Sequence, residues 1–377
     1  MKKEWDVIVV GAGPGGSVTA SKLAMAGVRV LLADKEKFPR DKPCSDLYGP
    51  AIKDLLTELG AYEKILEAGC LYRDTVLIAP NFSAIRAQNR GGIVCPRRVG
   101  DNILKENAAA LGAEVWEECW INDLIIEDGQ VRGVKAKYQG EFTELRSKIV
   151  IGCDGSHSWV AKRIGAFSDN PEMVYLCGRK YMRGADPELL DLEIHYTEEF
   201  VPGFICLSPH PGYGNAVNVG MGIQMSRYHD ADLDGEAMIR YFIENSPHGK
   251  RLAKAEDISR WMGWRVPSAG QLDKIHDAGV MLVGDAGSFV EPFVLEGIAA
   301  AARSGVLAAE TAVKALQEND FSEASLSRYE DRVTEVLIPY LLKLQGIANL
   351  SQDIDKFNAL VDQLKDDPTA VVRLMGA

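Results

Sequence analysis

A glycine-rich turn between a short apolar strand and a helix of small residues is the feature that most constrains this fold. The run WDVIVV at 5–10 leads into the turn GAGPGG at 11–16. Residues 16–26 are then predicted to form a helix that ends at Gly27, and residues 28–34 read as a second buried strand. The pattern predicts a β-α-β unit at the start of an α/β sheet.

The glycine spacing in this unit indicates dinucleotide binding. Gly11, Gly13 and Gly16 stand at G-x-G-x-x-G positions. The first glycine permits the tight turn, the second lets the backbone approach a pyrophosphate, and the third allows close helix–strand packing. Asp34 ends the second strand, where a carboxylate accepts from ribose hydroxyls and disfavours a 2′-phosphate. The unit therefore predicts FAD or NAD.

The rest of the chain alternates between helical and strand-like segments, without internal repeats. We predict a helix at 51–69, strands at 75–80 and 91–96, a helix followed by a strand at 97–116, a meander at 120–150, β-like periods from 170 to 275 with one helix near 235–255, and a small-residue helix at 297–316. The dipeptide Asp128-Gly129 marks a hairpin in the meander.

Two later glycine turns favour a flavin over a nicotinamide ligand. Asp154 and Gly155 follow one buried strand, and Gly284 and Asp285 follow another. An aspartate at such a strand end can accept a hydrogen bond from a ribityl hydroxyl, beside helix N–H groups that face the flavin. Each dipeptide alone usually marks only a turn. The two together, in this order after the dinucleotide-binding unit, are specific for a flavin-binding protein.

The amino-acid composition limits the partners and the cellular compartment that we expect for this protein. There are 42 Lys and Arg residues against 54 Asp and Glu, which gives a net charge of −12 and argues against a nucleic-acid partner. The seven cysteines include no C-x-x-C pair and suit a reducing compartment. We expect no metal site, no signal peptide, because Glu4 and Asp6 interrupt the first apolar run, and no transmembrane segment. We therefore expect a cytoplasmic protein, and the apolar C-terminal helices leave peripheral membrane contact open.

These motifs together resemble a known family. The chain resembles the FAD-dependent oxidoreductases of the para-hydroxybenzoate hydroxylase fold, and within them the geranylgeranyl reductase family, over roughly residues 4–345. The strings that carry the resemblance are VIVVGAGPGGSVTA, DKEKFPRDKPC, the arginine at the start of a helix at Arg97, VIGCDGSHSWV, and VGDAGSFVEP with EGI.

The resemblance implies a cofactor, a fold and a set of residues. Gly11, Gly13, Gly16 and Asp34 would hold the adenosine half of FAD, Arg97 the pyrophosphate or ribityl chain, Asp154 the sheet near the cofactor, and Asp285 and Gly297 the ribityl chain and isoalloxazine. The other expected cofactor-binding residues are Lys35, Arg40, Cys44, Ser45, Gly155, Gly284, Pro292 and Ile298. The expected fold is a Rossmann-like FAD-binding domain (1–70, 91–165 and 276–320) with an inserted antiparallel β-sheet substrate domain (71–90 and 166–275) and C-terminal helices (321–377).

The sequence departs from the family pattern beside the expected substrate cavity. Where the family has P-C-G-x-G, this chain has P-C-S-D-L at 43–47, and where it has Y-x-W-x-F-P, this chain has F-I-C-L-S-P at 204–209. Where the family has a glycine directly before the E-G pair, this chain has Leu295. These departures change the shape and bulk of the cavity walls, and we expect Phe204, Cys206 and Pro209 to contact substrate.

Three residues are candidates for proton delivery or substrate positioning. Cys44 lies in a polar loop with Arg40 and Lys42, which are expected to lower its thiol pKa. Tyr48 and Tyr213 offer phenol groups that could donate a proton. For each of the three, the alternative interpretation is a packed side chain without a catalytic role.

Three functions remain open from the sequence. The first is hydride transfer from reduced FAD to a C=C bond of an apolar, isoprenoid-type substrate. The second is a flavin monooxygenase, either a hydroxylase or a halogenase-like tailoring enzyme, although the halogenase signature W-x-W-x-I-P is not found. The third is a flavoprotein that modifies or matures a partner protein. The chain carries no second dinucleotide motif, so the reductant is either transiently bound NAD(P)H or an electron-donor protein such as ferredoxin.

Overall fold

The predicted β-α-β unit lies at the centre of an eight-stranded sheet. The computed structural model describes residues 4–167, 169–210, 215–230, 234–269, 274–367, 369–370 and 374. In it β1 (Glu4–Val10) pairs in parallel with β2 (Val30–Ala33) and with β11 (Glu141–Gly152). The other strands of this first sheet are β8 (Glu114–Trp116), β9 (Trp120–Glu127), β10 (Gln130–Tyr138), β18 (His276–Asp277) and β19 (Val280–Leu282).

Small residues bring two helices together on one face of this sheet. α1 (Pro14–Met25) connects β1 to β2 and packs against α8 (Ile298–Glu318). A Cβ placed on Gly305 would lie 2.8 Å from the Gly15 carbonyl oxygen, so the two backbones are too close for a side chain there. The alanine-rich sequence of α8 follows from this close approach.

The second sheet also has eight strands and covers the other side of the site. Its strands are β5 (Asp74–Ile78), β6 (Ala84–Gln88), β12 (Val174–Arg183), β13 (Leu192–His195), β14 (Gly203–His210), β15 (Ala216–Gln224), β16 (Glu256–Asp257) and β17 (Met262–Pro267). All pairs are antiparallel except β5 with β13, which run parallel. The expected mixed α/β fold is confirmed, and the expectation of a wholly antiparallel second sheet is wrong at this one pair because the chain crosses the molecule between the two strands.

The remaining elements complete a small third sheet and the outer helices. The third sheet contains β3 (Leu47–Tyr48), β4 (Cys70–Leu71) and β7 (Ile93–Val94). The remaining helices are α2 (Lys53–Glu58), α3 (Tyr62–Ala68), α4 (Arg97–Ala110), α5 (Trp159–Arg163), α6 (Met225–Asp230), α7 (Gly235–Asn245), α9 (Glu323–Val336), α10 (Ile338–Ser351) and α11 (Ile354–Leu364). The single helix expected at 51–69 is divided in two, because Gly60 adopts φ +72° and ends α2.

The hairpin and the C-terminal helices follow the sequence pattern. Asp128 and Gly129 both have positive φ, at 50° and 77°, as a two-residue type I′ hairpin turn requires. α9, α10 and α11 occupy the segment predicted to be helical beyond residue 321. Within the described ranges, no helix has both the length and the apolar character needed to cross a bilayer.

Candidate functional site

A cavity lies where the first sheet's glycine turns face the second sheet. It holds about 1030 Å³ of space free of protein atoms, solvent at the mouth included. One side, here called the polar edge, consists of Lys42, Cys44, Ser45, Arg97 and Asp285. Another part of the lining, here called the apolar wall, consists of Leu192, Ile194, Phe204, Val294 and Leu295. A cavity with both a polar edge and an apolar wall can orient a ligand that is charged at one end and apolar at the other.

The three glycines of the first turn serve different geometric needs. Gly11 has φ +100°, and a Cβ on it would lie 2.3 Å from the Cys153 carbonyl oxygen. A Cβ on Gly16 would lie 1.8 Å from the Gly11 carbonyl oxygen. A Cβ on Gly13, by contrast, would meet only the Arg40 guanidinium, at 3.8 Å. Protein packing therefore requires Gly11 and Gly16 to lack side chains, whereas Gly13 faces open space at the N-terminus of α1.

Asp34 is tied to the turn that it follows. One carboxylate oxygen accepts a hydrogen bond from the Ala12 N–H at 2.7 Å, and the other accepts from the Glu36 N–H at 2.9 Å. Each oxygen keeps a lone pair for a further donor. Lys35, beside it, is exposed. The aspartate is thus fixed in orientation at the end of β2, next to the open face of the glycine turn.

A buried ion-pair network organises the arginines of the site. Arg97, the first residue of α4, makes two hydrogen bonds to the Asp101 carboxylate, at 2.6 and 2.8 Å. Arg40 reaches the same carboxylate at 2.8 Å, and the Tyr48 hydroxyl donates to it at 3.1 Å. Burial tends to raise the Asp101 pKa, but the two guanidinium groups outweigh it and hold that pKa below its ordinary value. One carboxylate, which was not predicted from the sequence, therefore holds both Arg40 and the cavity-lining Arg97.

Tyr48 and Tyr213 differ from Cys44 in what the structure shows of them. Tyr48 is buried in β3 with its ring against Gly100, and it is not among the residues that line the cavity. Its hydroxyl is used by Asp101, and burial raises its pKa well above the ordinary value. Tyr213 lies outside the described residues. Of the two candidates that the structure describes, Cys44 lines the cavity and Tyr48 does not.

The turn at Asp154 and Gly155 has a local structural role. One Asp154 oxygen accepts from the Ser158 hydroxyl at 2.6 Å, and the other from the Trp159 and Val160 N–H groups. These bonds fix the start of α5. A Cβ on Gly155, which has φ +77°, would meet no atom within 4 Å. Asp154 therefore supports the turn, while Gly155 leaves the neighbouring space open.

The third turn brings an ion pair to the polar edge. Asp285 lies in a short 3-10 helix, Gly284–Gly287, and its carboxylate is 3.2 Å from the Lys42 ammonium. Gly297 and Ile298 begin α8 at the same point and line the cavity, whereas Pro292 is buried outside the lining. Residues separated by more than 240 positions thus meet at one edge.

The Cys44 thiol has a raised pKa, so the expectation of a lowered pKa is wrong. Loss of solvation raises it, Arg97 lowers it, and the Asp46 carboxylate raises it again. Arg40 and Lys42, which were expected to activate the thiol, are instead paired with Asp101 and Asp285. A thiol of this kind remains protonated at neutral pH and can hold a proton for transfer.

Alkylation of Cys44 by iodoacetamide is therefore expected to be slow. At pH 8 the rate should fall below that of a free small-molecule thiol and should still be rising at pH 9, because the thiolate fraction is small. Peptide mass spectrometry of the FAD-loaded protein measures the rate at Cys44 separately from the other cysteines. A rate above that of the free thiol, saturating below pH 8, would contradict the raised pKa.

The apolar wall is formed by one face of the second sheet together with Val294 and Leu295 of the loop that precedes α8. Phe204 and Cys206 lie on β14 and line the cavity, with Gly220 of β15 opposite Cys206. Pro209, further along β14, is buried and outside the lining. Cys44, Cys177 and Cys206 all reach the cavity, so three thiols rather than the two expected border it.

Asp46 is a functional candidate that sequence reasoning passed over. It is fully buried at φ +64°, in the loop that carries Cys44. One oxygen accepts from the Arg97 N–H at 3.1 Å, and the other accepts from the Tyr181 hydroxyl at 2.5 Å and from the Asn218 amide at 2.8 Å. Asn218 also donates to the Cys44 carbonyl at 2.7 Å. Asp46 thus joins the loop to α4 and to the second sheet.

A second buried carboxylate shapes the opposite side. The Glu291 carboxylate accepts from the N–H groups of Phe293, Val294 and Glu296, at 2.8, 2.8 and 3.0 Å. Burial raises its pKa to about 7 against the effect of these donors. The chain from 291 to 296 is therefore wrapped around its own side chain.

One titratable cluster lies away from the cavity. Glu193 and His195 of β13 approach His248 closely enough to suggest metal ligands. Glu193, however, already forms a two-fold ion pair with Arg251, and burial lowers the His195 pKa to about 4, so this histidine is neutral. The negative charge of the buried Glu193 is therefore compensated within the protein by Arg251.

The arrangement fits FAD on structural grounds. The turn at Gly13 leaves open space in front of the first N–H groups of α1, where backbone donors and the helix dipole favour a pyrophosphate. Asp34 is fixed at one end of this turn, and Asp285 with Lys42 lies at the cavity. These are the donors and acceptors that a molecule with ribose, diphosphate and ribityl groups needs.

Comparisons with known proteins agree with this geometry. Residues 4–337 match the family model described as FAD binding domain. Digeranylgeranylglycerophospholipid reductase 2 of Methanococcoides burtonii is 33% identical over 339 residues, covering 88% of this chain and 80% of that protein. The crystal structure of a geranylgeranyl bacteriochlorophyll reductase-like protein from Thermoplasma acidophilum superposes with a TM-score of 0.89 at 26% identity, covering 100% of this chain and 95% of that one. The flavin-dependent brominase Bmp2, at 20% identity and a TM-score of 0.81 over 99% of this chain and 94% of that one, shares the fold.

The resemblance noted from the motifs is therefore confirmed, and FAD is the cofactor. The chain belongs to the FAD-binding family and, within it, to the geranylgeranyl reductases, which makes it an FAD-dependent oxidoreductase.

Proposed function

We propose that this protein saturates C=C bonds in the prenyl chains of an isoprenoid lipid. Relatives from Methanococcoides burtonii and Methanocaldococcus jannaschii are named as digeranylgeranylglycerophospholipid reductases, and the second of these covers 96% of this chain at 30% identity. The observation that carries the proposal is that the apolar wall, which includes Leu192, Ile194 and Phe204, lines the same cavity as the polar edge. A wall of this kind suits a hydrocarbon chain held against a flavin.

The residues of the polar edge would hold the cofactor and supply a proton. When bound, reduced FAD supplies a hydride, and saturation of one C=C bond requires that hydride and one proton. Cys44, protonated because of its raised pKa, would donate the proton and regain it from water. Gly13 would lie against the pyrophosphate, Asp34 would accept from the ribose, and Lys42 with Asp285 would contact the ribityl chain.

The proposal also includes the domain organisation of the chain and its cellular compartment. The FAD-binding part would comprise 1–70, 91–165 and 276–320, and the substrate part 71–90 and 166–275, with 321–377 as a helical extension. All seven cysteines are free, which supports a reducing, cytoplasmic compartment. Peripheral contact with the membrane would give access to a lipid substrate.

Changing Gly13 to Ala should weaken FAD binding without unfolding the protein. The added methyl group meets no protein atom closer than 3.8 Å, so the fold should tolerate it, but it projects into the space that the pyrophosphate would use. We expect FAD affinity to fall by about tenfold or more, equivalent to about 1.4 kcal/mol. Titration of FAD-free protein measures the change, with Gly346→Ala, at a helical position with open space, as the control. Equal affinity in both variants would remove Gly13 from the pyrophosphate site.

The electrons must come from outside the chain, and we propose NAD(P)H or a ferredoxin as the donor. Rapid mixing under argon of FAD-loaded protein with NADH, NADPH or reduced ferredoxin separates them, because only the physiological donor should bleach the flavin absorbance within the time of turnover. A flavin that none of the three reduces would contradict this assignment.

Reoxidation under argon tests the reductase proposal against its alternatives. Photoreduced, FAD-loaded protein is mixed anaerobically with a digeranylgeranyl glycerophospholipid, and return of the oxidised flavin spectrum is expected only with the unsaturated lipid, not with its saturated counterpart. Reoxidation that needs dioxygen and is accelerated by substrate would instead indicate a monooxygenase. Capture of a stoichiometric protein partner, without any small-molecule turnover, would indicate a maturation factor.

A further inference from the structure

Leu295 adopts a backbone conformation that leucine rarely takes. Its φ is +59°, in the left-handed region, where the Cβ of an L-residue crowds the following carbonyl group. Its side chain belongs to the cavity lining and packs with the hydrophobic cluster that contains Phe204 and Ile194. The position therefore directs a large apolar side chain into the cavity at a conformational cost.

The surrounding loop holds Leu295 in that conformation. Glu291 accepts hydrogen bonds from the N–H groups of Val294 and Glu296, one on each side of Leu295. The Glu291 N–H in turn donates to the Glu296 carbonyl at 3.2 Å. Because both flanking amides are fixed to one buried carboxylate, the leucine cannot turn away without breaking these bonds.

The side chain occupies a recess in the floor of the second sheet. A Cβ placed on Gly222 of β15 would lie 2.9 Å from Leu295 Cδ1 and 3.0 Å from Phe204 Cζ. The neighbouring Gly220 also lines the cavity, and a Cβ there would have only ordinary contacts, at 3.7 Å or more. Two glycines thus form a depression in the sheet, and the side chains of Leu295 and Phe204 share the part over Gly222.

We propose that Leu295 sets the depth of the apolar half of the cavity and so limits the length of the hydrocarbon chain that enters it. The chemical class of the chain, an isoprenoid, rests on the proposed function; the depth itself does not. With Leu295 in place, the accepted chain ends before Gly222. Without it, the recess over Gly222 becomes available to further methylene or methyl groups.

The test is binding of linear primary alcohols of increasing length to the FAD-loaded protein, read from the perturbation of the flavin absorbance. Affinity should rise by about fourfold per methylene while methylenes are being buried, and then level off. In Leu295→Gly the levelling should move to longer alcohols, and those longer alcohols should bind on the order of tenfold tighter than to the unmodified protein. The glycine variant relieves the left-handed strain while losing packing, so the fold is expected to persist.

Val294→Ala is the matched control, since Val294 lines the same cavity from the same loop without a positive φ. If Leu295→Gly does not retain FAD, Leu295→Ala serves for the same comparison. An unchanged levelling point in the Leu295 variant, or an equal shift in Val294→Ala, would overturn the proposal. A shifted levelling point together with no turnover of any prenyl lipid would support the cavity assignment and contradict the proposed function instead.

Discussion

Replacing Asp101 with Asn is expected to lower the free energy of unfolding by about 3–5 kcal/mol, the cost of breaking a buried ion pair by removing one partner. Asp101 is completely buried and binds Arg97 and Arg40 simultaneously. An asparagine cannot neutralise either guanidinium and presents an amide donor where an acceptor is needed. Both arginines would then be left without their compensating charge beside the cavity.

The measurement is the urea midpoint and melting temperature of the FAD-loaded protein at constant FAD concentration, because bound cofactor adds to apparent stability. Asp123→Asn is the control, since Asp123 pairs with Lys135 and Arg163 at the surface and should cost less than about 1 kcal/mol. The Asp101 contribution should also disappear in acid: its pKa is lowered on folding, so the stabilisation is present above the unfolded value of about 3.9 and is lost as pH falls through the folded value. Equal losses of stability in the two variants would show that the buried ion-pair network stabilises the fold no more than a surface ion pair does.

Asp46→Ala should be the second severe substitution, at roughly 3 kcal/mol or more. It removes the acceptor of the Arg97 N–H, the Tyr181 hydroxyl and the Asn218 amide, and each buried donor left unpaired costs about 1–3 kcal/mol. Alanine is also disfavoured at φ +64°, where aspartate and asparagine are better tolerated. Chemical unfolding of the FAD-loaded variant, again beside Asp123→Asn, measures the loss.

Asp46→Asn separates the electrostatic effect of this residue from its structural one. Asparagine keeps the shape and tolerates the backbone, and with its oxygen toward Tyr181 and Asn218 it loses only the bond from the Arg97 N–H, while it removes the charge that raises the Cys44 pKa. The pH profile of Cys44 alkylation should therefore move to lower pH. A uniform increase in rate with no movement of the profile would mean that the substitution only loosens the loop, and an unchanged profile and rate would contradict any link between Asp46 and Cys44.

The overall fold was largely predictable because its signals are local. The glycine turn at 11–16, the hairpin at Asp128-Gly129 and the apolar strand before Asp285 each depend on a few adjacent residues with a defined backbone need. The parallel pairing of β5 with β13 was not predictable, because it joins segments more than 110 residues apart and strand patterns do not encode the direction of a distant partner. The break at Gly60 was visible as a glycine but was passed over within an otherwise helical pattern.

The site was predictable for its turns and much less so for the groups that connect them. The i, i+4 spacing of Arg97 and Asp101 on α4 is typical of a helical ion pair, but the sequence-based prediction did not include this pair. Asp46 was noticed only as a departure from a motif, and nothing in the linear sequence indicates that Tyr181 and Asn218 converge on it. The predicted direction of the Cys44 pKa shift was wrong because the sequence shows the basic neighbours of the thiol but not the carboxylates that pair with them.

The most direct test of the central claim is the mass of the product formed in the absence of dioxygen. FAD-loaded protein is photoreduced under argon, mixed with a digeranylgeranyl glycerophospholipid, and the extracted lipid is examined by mass spectrometry. We expect a gain of two hydrogen atoms for each flavin reoxidised, and a smaller yield with Cys44→Ala. An unchanged lipid under argon, together with a gain of one oxygen atom when air is admitted, would contradict it.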